Sequence, residues 1–404
     1  MGALSGTSYK GNKAFMIRST KLRSISIDHL VALSVQNTPS TVAIREKPRR
    51  LSYPHEVHMT KTQFGTASGT GELALLGEIR RRAVRNSQSG LHLGIGDDCA
   101  LLSPRKGEEL AVTTDLSIAG RHFRLDWHQP EAIGHRALAR GLSDLAAMGA
   151  RPVAAFLSLG LPRELTVSTG RRRTETRSWV QRFLDGLLNL ADALNTPLAG
   201  GDLAESPTAV ADIVLVGAVP RGRALLRSGT KPGDLLYATG TLGGAAAGLA
   251  RLAELASHGN HTPPRIPKKL EALLAPHLYP QPRIVQGLLL QRRALASAAL
   301  DLSDGLSTDL NRLCKESGVA AEVDAALMPL HPAATLTQAL HGGEDYELLF
   351  TAPAAARMPR SIAGVPVSRI GRILKSCKGH PAAILLTKDG FQPLEPHGWE
   401  HFSD

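Results

Sequence analysis

A Walker-type phosphate loop is missing: no G-x-x-x-x-G-K-[ST] occurs in the 404 residues, which excludes nucleotide handling of that kind. Long apolar runs are missing too. No segment reaches the roughly 18 apolar residues of a membrane span, and the N-terminus lacks the basic region, apolar core and small-residue cleavage site of a secretory signal. Cysteine is scarce. Cys99, Cys314 and Cys377 are odd in number, far apart and in no Cys-x-x-Cys spacing, which argues against a disulfide framework or zinc site and for a reducing, cytoplasmic setting. Aromatic residues make up only 4%, whereas Ala, Leu and Gly are abundant, a balance suited to helices packed on sheets through small side chains. With 43% hydrophobic residues the chain can bury a sizeable core, and its length suggests two or three domains.

The formal charge of +11 invites a nucleic-acid reading, but its distribution removes most of the reason for one. Residues 1–70 hold ten Lys or Arg against three acids, Asp28, Glu46 and Glu56, so they carry +7 and the other 334 residues only +4. Nucleic acid is therefore not expected as a partner of the mildly basic body. The same 70 residues show no sustained period and read as a disordered basic extension. Three origins stay open for it: an organelle transit peptide, translation from an upstream start with Met59 as the working one, or an arm for an anionic partner.

From Gly71 the chain becomes regular. GELALLGEIRRRAV predicts an amphipathic helix, LHLGIGDDCALL a strand entering an acidic loop, ELAVTTDLSIAG a second strand, and PEAIGHRALARGLSDLAAMGA a helix with Ile133, Leu138, Leu142 and Leu145 on one face. The strand PVAAFLSLGL, a helix over 177–195 with Trp179, Phe183, Leu187, Leu190 and Leu194 spaced by threes and fours, and the strands TPLAGGDL and AVADIVLVGAVP follow. This β-β-α-β-α-β-β order predicts an α+β domain over 71–218. After a Pro-Arg-Gly turn the pattern restarts, predicting a second α/β domain over 219–404. Its strands are GDLLYATG, SAALDLSDGL, GGEDYELLFTA, VSRIGRIL and a hairpin AILLTKDGFQPL turned at Asp389-Gly390, and its helices are GGAAAGLARLAELA, QPRIVQGLLLQRRAL and residues 305–317.

Acidic groups recur at five places: Asp97-Asp98, Thr113-Thr114-Asp115, Asp144 in LSDLAAMGA, Asp202 in AGGDL, and Asp301-Ser303-Asp304 in DLSDGL. Most follow an apolar strand directly, and Asp144 lies within a helix. Met alone, each has a plain reading as a turn former or helix cap. Carboxylates at the ends of strands that share a sheet converge, however, and like charges packed together need neutralising. Hard divalent cations do this with oxygen ligands, and Mg²⁺ is commonly held by a few carboxylates plus substrate phosphates. Five such groups in one chain, several flanked by a hydroxyl or a glycine, point to a multi-metal phosphate site. For phosphate donors, TGTLGGAAAGLA offers either backbone N–H groups at a helix start or close helix packing. Arg227 in RALLRSG and His122 in AGRHF are further candidates.

Taken in order, GIGDDCALL, TTDLSIAGRHF, LSDLAAMGARP, AGGDL, GRALLRSGTKPGD, LDLSDGLSTDL and GGEDYELLFT resemble the thiamine-monophosphate kinases. That family sits in the PurM-like superfamily of ATP-using enzymes, alongside aminoimidazole ribonucleotide synthetase and selenophosphate synthetase. The resemblance runs from about Gly71 to Phe402 and leaves residues 1–70 outside. It implies a dimer-forming N-terminal domain with a mixed sheet and a C-terminal α/β domain, a homodimer with ATP sites near its interface, and ATP as co-substrate with several Mg²⁺ ions. The implied reaction is phosphorylation of thiamine monophosphate to thiamine diphosphate, the last step of thiamine diphosphate biosynthesis. Carried over motif by motif, Asp98, Thr113, Thr114, Asp115, Asp144, Asp202, Asp301 and Asp304 would hold metal, with Asp98, Asp115, Asp144 and Asp304 central to catalysis and Asp97 behind them. Gly201, Asp202, Arg227 and Ser303 would touch ATP, and His122, Glu344 and Trp399 the thiamine phosphate. The family's ATP-contacting Tyr has no counterpart in FLDGLLNLADAL. Two other readings are retained: a different ATP-using member of the superfamily, and a non-catalytic anion-binding protein driven by the basic arm. Cys99 does not fill the place of the reactive Cys that a selenophosphate synthetase needs near its N-terminus.

Overall fold

The computed structural model describes residues 72–83, 90–168, 177–257, 262–399 and 402, all within one unit spanning Thr66–Asp404. The basic extension 1–70, and the readings attached to it, lie outside the described residues. The first half runs α1 (Glu72–Ala83), β1 (Leu91–Leu93), β2 (Leu101–Leu102), β3 (Glu108–Ile118), α2 (Pro130–Ala147), β4 (Arg151–Leu161), α3 (Trp179–Ala193), β5 (Leu198–Glu205) and β6 (Val210–Pro220). Strands β3, β6, β4 and β5 form a four-stranded sheet in that order, parallel between β4 and β5 and antiparallel elsewhere, so the sheet is mixed.

Strand alternation sorts the side chains of this sheet onto two faces. Leu157, Leu159 and Leu161 of β4 and Ala211, Ile213 and Leu215 of β6 are buried in one core with residues of α2 and α3. On β3 the opposite set, Leu110, Val112 and Leu116, is 44%, 61% and 45% exposed. Part of that outer face is covered by the β1–β2 pair, whose Leu91 and Leu102 pack against Ala154, Val216 and Ala218.

Helix α2 begins with Pro130, whose missing N–H costs nothing in the first turn. Helix α3 begins with a capping box in which Gln181 N donates to the Ser178 hydroxyl and Ser178 N donates to the Gln181 side chain. The two helices meet backbone to backbone. A Cβ on Gly134 would lie 1.9 Å from Phe183 O and one on Gly186 would lie 1.8 Å from Glu131 O, so only glycine permits the approach.

The second half comprises β7 (Leu235–Thr239), α4 (Gly244–Ser257), α5 (Glu271–Leu278), α6 (Ile284–Arg292), β8 (Ala298–Asp301), α7 (Leu306–Ser317), β9 (Val319–Asp324), α8 (Leu336–His341), β10 (Leu348–Ala352), β11 (Ser361–Ile362), β12 (Val365–Lys375), β13 (Ala383–Thr387) and β14 (Gly390–Pro393). Its eight-stranded sheet follows the order β14-β13-β9-β12-β7-β10-β8 with β11 paired onto β12, and within it β13 and β9 run parallel. Helix α2 contacts β3 and β6 on one side and β8 and α6 on the other. Ile133, Leu142 and Ile213 consequently share one core with Leu290, Leu348 and Phe350. The fold is α+β in two sheet-centred halves, with α2 between them.

Candidate active site

Arg136, Arg140 and Asp144 are spaced by four along α2 and therefore share one face of a helix that otherwise buries mainly apolar residues. Buried charges need partners, and β3 supplies two of them. Thr113 Oγ1 donates to Asp144 Oδ2 at 2.5 Å. One turn back, Arg140 Nε donates to Asp115 Oδ1 at 2.9 Å, with Nη2 2.7 Å from the same oxygen. Ser143 donates to Asp301 Oδ2 at 2.7 Å across the gap to β8. Burial first, then the charge of Asp144, pushes the Asp301 carboxyl up to about 8. Burial also raises Asp144, against the Thr113 bond, and raises Asp115 against its Arg140 partner.

The turn from β8 into α7 is built on Asp309. Its Oδ2 accepts from the N–H groups of Ser303, Asp304 and Gly305 at 3.1, 3.0 and 3.2 Å. Burial and then the neighbouring Asp304 push Asp309 up to about 6. Arg312 bonds both Asp304 and Asp309, and Trp399 N donates to Asp304 O at 3.0 Å, which brings the Trp399 ring near this turn.

The segment GGEDYE distributes four consecutive side chains to different tasks. Glu344 accepts from Arg136 Nη2 at 2.6 Å, Tyr346 is buried, and Glu347 accepts from Arg283 Nε and Thr239 Oγ1, each at 2.6 Å. Asp345 accepts from Gly243 N and Ala245 N at 2.6 and 3.0 Å, and burial pushes it up to about 7. These are the amides of the glycine run that offered a phosphate cradle. They are taken by Asp345, and a Cβ on Gly248 would sit 3.0 Å from His277 Cβ, so close packing is the reading that holds here.

Behind Glu344 lies a network with no local signal in the sequence. His128 Nε2 and His277 Nε2 are 3.0 Å apart, and Arg136 Nη1 reaches His277 Nδ1 at 3.1 Å and also bonds the His277 carbonyl. Burial first and then the Arg136 charge lower both imidazoles, His128 to about 4 and His277 well below the ordinary range. Both rings are therefore neutral at pH 7, one donating to the other. For Glu344, burial alone would raise the pKa, but Arg136 and then Arg140 outweigh it and hold the carboxylate below its usual range.

These elements enclose a cleft of about 590 Å³. Asp115, His122, Asp144, Asp301, Ser303, Asp304, Glu344 and Trp399 all line it, eight of the residues expected from the motifs. Thr113 joins them through Asp144, and Arg227 does so through its charge, which acts on both Asp144 and Asp301. Others lie elsewhere. Thr114 is exposed, on the opposite face of β3 from Thr113 and Asp115. Asp202 is exposed within β5, in register with Ser158 of β4 and through it with Asp212 of β6. Gly201 has a backbone reason for its identity, since at φ +142° a Cβ there would lie 1.8 Å from Leu157 O. Asp97 and Asp98 are exposed in the β1–β2 turn, with Asp97 Oδ1 accepting from Asp98 N at 2.9 Å. The acids of β3 and β5 sit inside strands rather than after them, because each strand continues past its motif.

Among the described residues no three His, Cys, Asp or Glu side chains converge as a ready-made metal site. What the cleft does contain fits a hard cation: half-buried Asp144 and buried Asp301 are oxygen donors whose proximity raises Asp301, and the Thr113 hydroxyl bonds Asp144. A cation completed by substrate phosphates rather than by a full protein cage is the habit of Mg²⁺.

Residues 96–225 match the AIR synthase related protein, N-terminal domain, and residues 231–381 the AIR synthase related protein, C-terminal domain, which defines the class. Thiamine-monophosphate kinase of Escherichia coli strain K12 is 40% identical over 347 residues, covering 82% of this chain and 98% of that one. The crystal structure of thiamine-monophosphate kinase from Stenotrophomonas maltophilia K279a superposes with a TM-score of 0.65 at 38% identity, covering 78% and 96% of the two chains. A structure described as AaThiL complexed with AMPPCP and TMP superposes with a TM-score of 0.61 at 30% identity, covering 82% and 97%. The chain belongs to the thiamine-monophosphate kinase family.

Proposed function

We propose that the cleft transfers the γ-phosphoryl group of ATP to the phosphate of thiamine monophosphate, giving thiamine diphosphate and ADP. The observation that carries this is the gathering of Asp115, Asp144, Asp301 and Asp304, drawn from both halves, around one cleft in a chain of this family. The relatives named thiamine-monophosphate kinase, and the neighbour holding TMP together with AMPPCP, an ATP analogue, support both substrates.

An oxygen of the thiamine monophosphate phosphate attacks the γ-phosphorus, and the bond from that phosphorus to the β,γ-bridging oxygen breaks, so ADP leaves with the electron pair. That attacking oxygen is already ionised at neutral pH, and no strong general base is required. Positioning and charge control remain for the protein. In our reading Thr113, Asp115, Asp144, Asp301 and Asp304 would hold Mg²⁺ at the cleft, and Asp98, Thr114 and Asp202 would hold it outside the cleft. When bound, the ions neutralise the two facing phosphates. Gly201, Asp202, Arg227 and Ser303 contact ATP, while His122 and Trp399 flank the thiamine phosphate. Glu344, kept anionic by Arg136, faces the cationic thiazolium.

We further read the two halves, 71–218 and 219–404, as the two domains of a homodimer subunit. The exposed Leu110, Val112 and Leu116 form an apolar row that a second copy would cover. Among the described residues no helix is long and apolar enough to cross a membrane, and the free thiols of Cys99, Cys314 and Cys377 suit a reducing cytoplasm. The test is a coupled assay of the purified protein with ATP, Mg²⁺ and thiamine monophosphate, followed by chromatography. Mg²⁺-dependent thiamine diphosphate is expected; folded protein that makes none would point to a sister activity of the superfamily.

A further inference from the structure

We infer that Arg140 is a catalytic residue whose guanidinium contacts the phosphoryl oxygens during transfer, a role that rests on the kinase reading of the cleft. Three arginines bond acids around the site: Arg136 to Glu344, Arg312 to Asp304, and Arg140 to Asp115. Of these, Arg140 is the one that lines the cleft. Its Nε and Nη2 both address Asp115 Oδ1, Nη1 has no hydrogen-bond partner among the described residues, and the side chain is 16% exposed. The side chain thus presents an unused pair of N–H bonds to the space where substrates bind.

Its place along α2 says which part of the substrates it meets. Asp144, one turn further on, belongs with Asp301 to the proposed metal end, and Arg136, one turn back, holds the Glu344 proposed to face thiamine. At 1.5 Å per residue, Arg140 lies about 6 Å along the axis from each. It stands between the nucleotide end and the thiamine end, where the donor and acceptor phosphates must meet. A planar guanidinium there donates to two phosphoryl oxygens at once, and it gains most when negative charge spreads over them in transit. Asp115 holds the fork in orientation, so the cation is set before substrates arrive.

The test compares wild type with Arg140→Lys and Arg140→Met at saturating Mg²⁺. We measure kcat, both KM values, the Mg²⁺ activation curve, and thiamine diphosphate affinity through the fluorescence of Trp127 and Trp399. Expected for Arg140→Met is a fall in kcat of about 10²-fold with KM for ATP nearly unchanged, the scale of losing one preorganised donor, together with weaker product binding. Arg140→Lys keeps a charge beside Asp115 and is expected to fold normally, yet to lose at least about tenfold in kcat because an ammonium lacks the planar fork. A loss in either variant that excess Mg²⁺ restores would overturn the proposal, since Arg140 would then only orient Asp115 for metal. Wild-type kcat in Arg140→Lys, should Arg140→Met fail to fold, would overturn it equally. If wild type itself made no thiamine diphosphate, the kinase reading would fail first and be recognised separately.

Discussion

Asp301 illustrates how a single residue sets stability against function. The folded protein holds its proton up to about pH 8 while an unfolded chain releases it near 3.8, so in metal-free protein stability falls as pH rises across that window. Asp301→Asn is expected to stabilise metal-free protein at pH 8 by at least about 1 kcal/mol, one pKa unit being worth about 1.4 kcal/mol, and to abolish turnover. Thermal melts with and without Mg²⁺ check this, and an unstabilised variant would remove the repulsion from the account. His128 has the opposite sign. Its folded pKa of about 4 lies below the ordinary 6.5, so the unfolded chain binds the extra proton and stability falls as pH drops from 6.5 towards 4, by about 3 kcal/mol in all. His128→Gln should flatten this acid slope in urea titrations, and an unchanged slope would count against the assignment. Asp304→Ala and Asp98→Ala are both expected to lose turnover with the fold intact. Survival of activity in both would sink the proposed metal set. The acids are legible in the sequence because their motifs recur, whereas the Arg136–Arg140–Asp144 stripe lies on a helix whose sequence signal is the apolar face of Ile133, Leu138, Leu142 and Leu145. His128 and His277, 149 residues apart, have no local pattern that pairs them.

At the scale of elements, α2 and α3 depend on contact without side chains. Gly134→Ala or Gly186→Ala is expected to cost about 1–3 kcal/mol through overpacking, measurable by urea denaturation; a neutral result would mean the helices can separate freely. The long elements were readable because a period of two or 3.6 persisted over many residues. Those that escaped were short or internally contradictory: α5 contains Pro276, β9 is the Ala-rich VAAEVD, and α8 spans six residues. Their pairing comes from the sheet and core around them. The glycine run before α4 escaped for another reason, since its amides are claimed by Asp345, a residue 100 positions or more away in the chain.

For the whole molecule, the exposed row on β3 is the feature proposed to meet a second copy. Val112→Asp or Leu116→Asp should convert a dimer to monomer in sedimentation analysis, and unchanged mass would show that this row is not the interface. The core that runs through α2 into both sheets has a different consequence. Separating the two halves would strip α2 of one of its apolar sides. Calorimetry should therefore show both halves melting as one cooperative transition. Hydrogen exchange should find the α2 amides released only by global opening, which leaves the rim loops of the cleft, rather than an opening between its walls, as the route by which substrates come and go.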